Sequence, residues 1–341
     1  SLGEFEQGRP VMEELKARND VQIVVTFFSP SGYEVRKNYA GADLIVYLPK
    51  DSKRNAKRFL EAIRPSKIYF VKYEFWANYI FESRKAGAKL YCVSATFRAG
   101  QIFFKWYGGY MVKVLKAFDH IFVQNEGSQK QLSTIGIQSE VSGDTRFDRV
   151  MSNASKVQRY SEVEEFIAGN KVWILGSVWE EDLQVTVSSI NSLEEGWKVI
   201  IAPHEIKEDF LASIERRITK SSSRYSSINA NSDVLIIDNI GMLMNLYQYA
   251  HIAYVGGAFR TGLHNILEPA AFGSAVIFGP KTEKFPEAEQ FVQAGVGFQI
   301  NSSASFQQKF KELQNQDLKD LVLDFMREQC GATNKVLREV L

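Results

Sequence analysis

Cysteine is almost absent. The chain has two in 341 residues, and Cys92 and Cys330 lie far apart in apolar and helical contexts, with the spacing of neither a zinc site nor a redox pair. A reducing cytoplasm fits this usage. Charge of one sign is also lacking: 41 Lys plus Arg face 40 Asp plus Glu, which leaves no broad field for nucleic acid and no acidic surface, so any charged site must be local. No run reaches the roughly 18 apolar residues that span a bilayer, and no charged-then-apolar leader opens the chain. Tandem repeats and low-complexity blocks are missing too. What remains is a globular composition, 45% hydrophobic and 24% charged, long enough for two domains that each bury a substantial core.

Short β-rich runs alternate with helical patterns. In the first half the runs are 21–27, 44–47, 68–71, 89–93, 120–123 and 140–142. Between them lie amphipathic segments such as 52–63, where Ala56, Phe59, Leu60 and Ile63 recur at helical spacing. This βαβ rhythm predicts a parallel sheet. It pauses over the polar stretch 148–170 and resumes with strands expected at 172–175, 198–202, 234–238, 252–255, 275–278 and 297–300. We therefore expect two α/β domains, 1–155 and 156–341, with a cleft between them, and ligands outside the carboxyl ends of their strands. The Ser-rich segment 221–231 reads as a surface connection. The C-terminal stretch 306–341 reads as two helices, the last able to return to the first domain.

The strand expected at 252–255 runs into Gly256, Gly257 and Gly262 and then into a segment predicted to be helical from Leu263. Glycines let backbone approach a ligand, and free amides at a helix start attract an anion such as phosphate. Neither G-x-G-x-x-G nor G-x-x-x-x-G-K-[ST] occurs, which sets aside the dinucleotide and ATPase fingerprints. Glu268 lies one helical turn from His264 and Asn265, where a carboxylate suits ribose hydroxyls; the same residues also read as a tight turn, a helix cap and an ordinary first-turn carboxylate.

The phrase Tyr254-Val-Gly-Gly-Ala-Phe with His264-Asn-Ile-Leu-Glu-Pro-Ala-Ala-Phe-Gly resembles the nucleotide-binding signature of the 3-deoxy-D-manno-octulosonic acid (Kdo) transferases of lipopolysaccharide synthesis. Further pieces agree in order and spacing: Ser1-Leu-Gly-Glu-Phe, Tyr73-Glu-Phe-Trp-Ala-Asn, Val141-Ser-Gly-Asp-Thr-Arg-Phe-Asp, Leu175-Gly-Ser-Val-Trp-Glu, Ile201-Ala-Pro-His-Glu and Ile240-Gly-Met-Leu-Met-Asn-Leu-Tyr. The resemblance implies a glycosyltransferase of the GT-B type, with two Rossmann-like domains and parallel sheets facing a cleft. It implies transfer of Kdo from CMP-Kdo to a lipid A precursor at the cytoplasmic face of the bacterial inner membrane, with no cofactor, no metal and no nucleic acid. The sequence offers no Asp-x-Asp and no clustered metal ligands, which agrees. The chain opens at Ser1 rather than Met, and the resemblance implies an anchor and a first strand ahead of it.

Carried onto this chain, the resemblance makes Glu4 the general base, although Ser1-x-x-Glu4 is also capping-box spacing. It makes Glu74, beside Phe75 and Trp76, a second catalytic carboxylate. Arg146 stands where the family usually has lysine, as a cation for the leaving phosphate or the Kdo carboxylate; a rigid fork in place of a point charge changes the contact. Pro203-His204 stands where the family more often has Pro-Arg, and a lone His after a strand is also a common helix cap. Gly241, Met242 and Leu243 are expected at a helix start to read the cytosine edge, and Ser177 to meet phosphate at another. Gly257, His264, Asn265, Ile266, Leu267 and Glu268 complete the nucleotide site, with Asn265 for phosphate and Glu268 for ribose. The stretch 102–118 mixes aromatics with Lys105, Lys113 and Lys116, which suits a membrane surface and equally a core helix. The alternatives are another GT-B transferase or epimerase using a UDP-sugar, and a nucleotide-binding homologue without catalysis.

Overall fold

A computed structural model describes residues 2–18, 20–260 and 262–341. The chain divides into two compact units, Ser1–Arg149 with Gln329–Leu341, and Val150–Glu328. The division falls six residues before the expected boundary at 155/156. The polar stretch 148–170 is largely helical rather than a linker, in helices Thr145–Ala154 and Ser161–Ile167. The terminal helix Ala332–Val340 belongs to the first unit, where Val336, Leu337 and Val340 share a buried cluster with Val11, Tyr91, Val93 and Phe122. The C-terminal stretch forms three helices, Ser303–Gln314, Lys319–Glu328 and Ala332–Val340, not two.

In the first unit, β1 (Val24–Phe27) and β2 (Leu44–Tyr47) form one parallel pair; β3 (Lys67–Val71), β4 (Lys89–Ala95), β5 (His120–Val123) and β6 (Glu140–Val141) form a second parallel sheet in sequential order. The N-terminal helix Leu2–Arg18 lies close over β3: a Cβ at Gly8 would stand 2.9 Å from Val71 Cγ2. The helix Lys53–Ile63 starts where expected because Ser52 accepts the Asn55 N–H at 3.3 Å.

The second unit is a seven-stranded parallel sheet built from β7 (Lys171–Val178), β8 (Trp197–Pro203), β9 (Ser222–Arg224), β10 (Val234–Ile236), β11 (Ile252–Val255), β12 (Ala275–Phe278) and β13 (Gly297–Gln299). The order is β13-β12-β11-β7-β8-β10-β9. Alternate residues of β7 enter the two cores, Trp173 and Leu175 on one face and Val172 and Ile174 on the other, so its near-continuous apolar run reflects burial on both sides. The Ser-rich segment conceals β9, whose polar residues pair with β10 at the sheet edge. With the first strand central and later strands added on both sides, the order reverses between β7 and β11. That reversal is where open α/β sheets bind ligands.

Candidate nucleotide site and catalytic residues

The turns after β7 and β11 are locked together. Gly256 N–H donates to the Gly176 carbonyl at 2.9 Å. No side chain fits at these glycines: a Cβ at Gly176 would stand 1.9 Å from Tyr247 Oη, and one at Gly256 would stand 2.4 Å from the Ser177 carbonyl oxygen. Gly257 adopts φ 94°, a left-handed conformation that favours glycine, and a Cβ there would meet the Gly262 carbonyl oxygen at 2.5 Å. Ser177 sits at an irregularity of β7 with φ 55°, between the residues that pair with β8. It lies inside the strand, because the next helix begins only at Glu180.

Asp182 is the residue that ties these turns, and sequence reasoning passed over it. It is fully buried. Its carboxylate accepts from Trp179 N at 3.0 Å, Gly257 N at 2.9 Å and Tyr254 Oη at 2.7 Å. Burial raises its pKa above the ordinary aspartate value, and the three donors oppose the rise. The signal was present in the sequence: Asp182 lies three residues after Trp179, the spacing of a carboxylate that reaches back to a helix N-cap.

Around that knot stand the rings. Trp179 and His204 stack at 4.4 Å between centroids, and His204 and His264 stack at 4.4 Å. Trp179 Nε1 donates to His264 Nε2 at 3.0 Å, and the Arg260 guanidinium lies 4.1 Å over the Trp179 ring. Burial pulls His264 down to about 4, with His204 adding to the shift, and burial likewise lowers His204. His204 caps no helix, since the next one begins at Glu208.

The segment after the glycine loop differs from expectation. It stays irregular through Asn265, and the helix spans only Leu267–Ala270. Asn265 Oδ1 accepts the Leu267 N–H at 3.1 Å, so Asn265 does act as a local cap, and its Nδ2 donates to Glu268 Oε1 at 3.0 Å. Pro203, Met242, Ile266 and Leu267 are buried and can offer a ligand only backbone. Side chains of Ser177, His204, His264, Asn265 and Glu268 retain exposure. Gly241, exposed, precedes the one-turn helix Leu243–Leu246; Leu243 Cδ1 would lie 3.1 Å from a Cβ at Gly176, which brings this segment to the end of β7.

In the first unit, Glu4 lies in the first turn of the helix Leu2–Arg18; Ser1, its proposed capping partner, lies outside the described residues. One turn on, the Gln7 carbonyl accepts from Thr145 Oγ at 2.5 Å, and Gln7 Nε2 donates to Asp144 Oδ1 at 3.5 Å. Thr145 also bonds Ser94 at 3.0 Å. These bonds join the N-terminal helix to the start of the helix Thr145–Ala154, which carries Arg146. Arg146 is not aimed at solvent: its Nε and Nη2 reach Asp144 Oδ2 at 2.9 and 2.6 Å. Glu74 follows β3 on a turn entered through Lys72 at φ 60°, and Trp76 Nε1 donates to its Oε2 at 2.5 Å. Among the described residues, no group of three His, Cys, Asp or Glu is placed to hold a metal ion, and no helix is long and apolar enough to cross a membrane.

The fold, with its parallel sheets and two units, is that of the GT-B enzymes. The structure of a UDP-GlcNAc 2-epimerase from Neisseria meningitidis aligns with a TM-score of 0.69 at 15% identity, covering 99% of this chain and 96% of that one. Residues 1–149 match the family model described as 3-deoxy-D-manno-octulosonic-acid transferase. A 3-deoxy-D-manno-octulosonic acid transferase of Aquifex aeolicus is 28% identical over 100% of this chain and 92% of the relative. One from Chlamydophila psittaci is 27% identical over 87% and 72%. The chain is a glycosyltransferase, and along its whole length it resembles the Kdo transferases.

Proposed function

We propose that this protein is a Kdo transferase that takes Kdo from CMP-Kdo and places it on a lipid A precursor, lipid IVA, without a metal. The observation that carries the donor half is the site at the β7/β11 reversal. There a glycine turn too tight for any side chain, the polar side chains of His204 and Asn265, exposed, and of Ser177, His264 and Glu268, half-buried, and the Arg260 cation gather at strand carboxyl ends. The second unit is accordingly the CMP-sugar domain and the first the acceptor domain. Asn265 and Glu268 meet phosphate and ribose, while the backbone at Gly241, Met242 and Leu243 reads the base.

The chemistry is assigned to Glu4. An acceptor hydroxyl attacks the anomeric carbon of Kdo, its proton passes to the Glu4 carboxylate, and the bond from that carbon to the CMP phosphate breaks with the electron pair leaving on CMP. Glu74, held by the Trp76 indole, is the second carboxylate. Arg146, braced on Asp144, supplies the cation for the leaving phosphate or the Kdo carboxylate. The exposed side chains of Ile102, Trp106, Tyr107 and Tyr110, with Lys105, Lys113 and Lys116, bring the enzyme to the cytoplasmic face of the inner membrane, where the acceptor resides.

Two measurements test this reading. CMP is expected to raise the thermal midpoint where UDP does not; stabilisation by UDP alone would support a UDP-sugar enzyme instead. The Glu4→Gln variant is expected to bind CMP as the parent does and to lose transfer from CMP-Kdo. A variant that still transfers removes Glu4 from the base role.

A further inference from the structure

We propose that Trp179 fixes His264 as a neutral imidazole whose Nδ1–H is offered as a hydrogen-bond donor to the phosphate of the nucleotide-sugar, which makes Trp179 a positioning residue of the donor site. The inference rests on the donor reading above and adds to it a residue, a tautomer and a direction of hydrogen bonding.

An indole N–H only donates. Trp179 Nε1 stands 3.0 Å from His264 Nε2, so that nitrogen accepts and the proton of the neutral ring sits on Nδ1. Protonating Nε2 would set two N–H groups against each other and break the bond. Burial disfavours the imidazolium further. Among the described residues no acceptor engages Nδ1. The ring's orientation is determined from three directions: the stack on His204, the Trp179 bond, and the His264 backbone N–H, which donates to the Gly256 carbonyl at 3.2 Å. Trp179 is itself held, through its own backbone N–H, by the Asp182 carboxylate that also holds Gly257. The charged groups on the surrounding elements are Arg260 on the loop, Glu181 and Asp182 after β7, and Glu205 after β8. A satisfied core histidine would use both nitrogens inside the protein. His264 uses one, beside a glycine turn and a cation, which is the pattern of a fixed donor awaiting an anion.

The test uses the full chain labelled with 15N. Long-range 1H–15N correlation of the imidazoles is expected to show His264 as the Nδ1–H tautomer throughout the neutral range, with no titration near the ordinary histidine value. An Nε2–H tautomer, or titration near that value, overturns the proposal. Binding of CMP is then compared in His264→Asn, whose amide N–H replaces the Nδ1 donor, and His264→Gln, whose amide reaches the Nε2 position. Asn is expected to retain binding and Gln to lose about tenfold, the worth of one hydrogen bond to a charged group; equal or tighter binding by Gln overturns it. Trp179→Phe keeps an aromatic ring and removes the donor, and it is expected to mix the His264 tautomers while weakening CMP binding by a similar factor. If that variant does not fold, the parent spectrum and the Asn/Gln pair still decide. Parent protein that does not bind CMP at all defeats the donor reading. CMP binding with the wrong tautomer defeats only this inference.

Discussion

Asp182 shows how one side chain can set the geometry of a site it never shows to solvent. Its carboxylate takes three donors from two turns and one strand, so the glycine turn and the start of the helix after β7 move as one. Replacing it by alanine leaves two backbone amides and a tyrosine hydroxyl buried without partners, at about 1–3 kcal/mol for each. Asp182→Ala is therefore expected to unfold at markedly lower denaturant, if it folds. Asp182→Asn is milder and more informative. Because burial raises the Asp182 pKa in the folded state, its contribution to stability is fully present below the unfolded value and is lost as pH rises through the folded one. The asparagine variant has no such titration. The stability of the parent minus that of the variant is thus expected to grow as pH falls from neutral toward the ordinary aspartate range. A difference that shrinks on acidification, measured by denaturant melts at several pH values, contradicts the assignment.

At the scale of elements, what the sequence disclosed depended on how strongly periodic each segment is. Apolar strands such as β11 and β12 lie where the runs predicted them, because burial on both faces demands a continuous apolar stretch. The edge strand β9 was hidden, since serines pair through backbone alone and leave no hydrophobic trace. The helix after the glycine loop was over-read: periodicity suggested it from Leu263, but the loop closes on itself first, with Gly262 N–H donating to the Gly257 carbonyl at 3.1 Å. The stretch 102–118 carries both buried and exposed side chains, and its burial accords with a core segment for only part of it. Phe103, Val114 and Leu115 are core, whereas Ile102, Trp106, Tyr107 and Tyr110 are exposed, Trp106 by 96%. So large an exposed ring contributes little to folding. Trp106→Ala with Tyr110→Ala is expected to leave the thermal midpoint within the small range of surface substitutions and to reduce sedimentation with anionic vesicles several-fold. Unchanged vesicle binding would assign the patch to something other than a lipid surface.

For the whole molecule, the two-part α/β architecture was legible in the alternation of runs and helical patterns, and the likeness to Kdo transferases in a handful of phrases spread along the chain. The division itself was less so, because a helix crosses it and the terminal helix belongs to the first unit. The candidate site was legible only where a residue type is unusual for its place, as at the glycines, His264 and Glu268. Trp179, Asp182 and Arg260 contribute as much to its geometry, yet each reads in sequence as an ordinary member of a turn or helix; only contacts between distant segments reveal them. Likewise the partnership of Arg146 with Asp144 constrains a cation that the sequence offers as unattached. The proposed reaction is the transfer of Kdo from CMP-Kdo to lipid IVA. Incubating the protein with CMP-Kdo and lipid IVA and following the acceptor by mass spectrometry tests it most directly. The expected result is acceptor heavier by whole Kdo residues with CMP released in step, and unchanged acceptor from protein that binds CMP would contradict it.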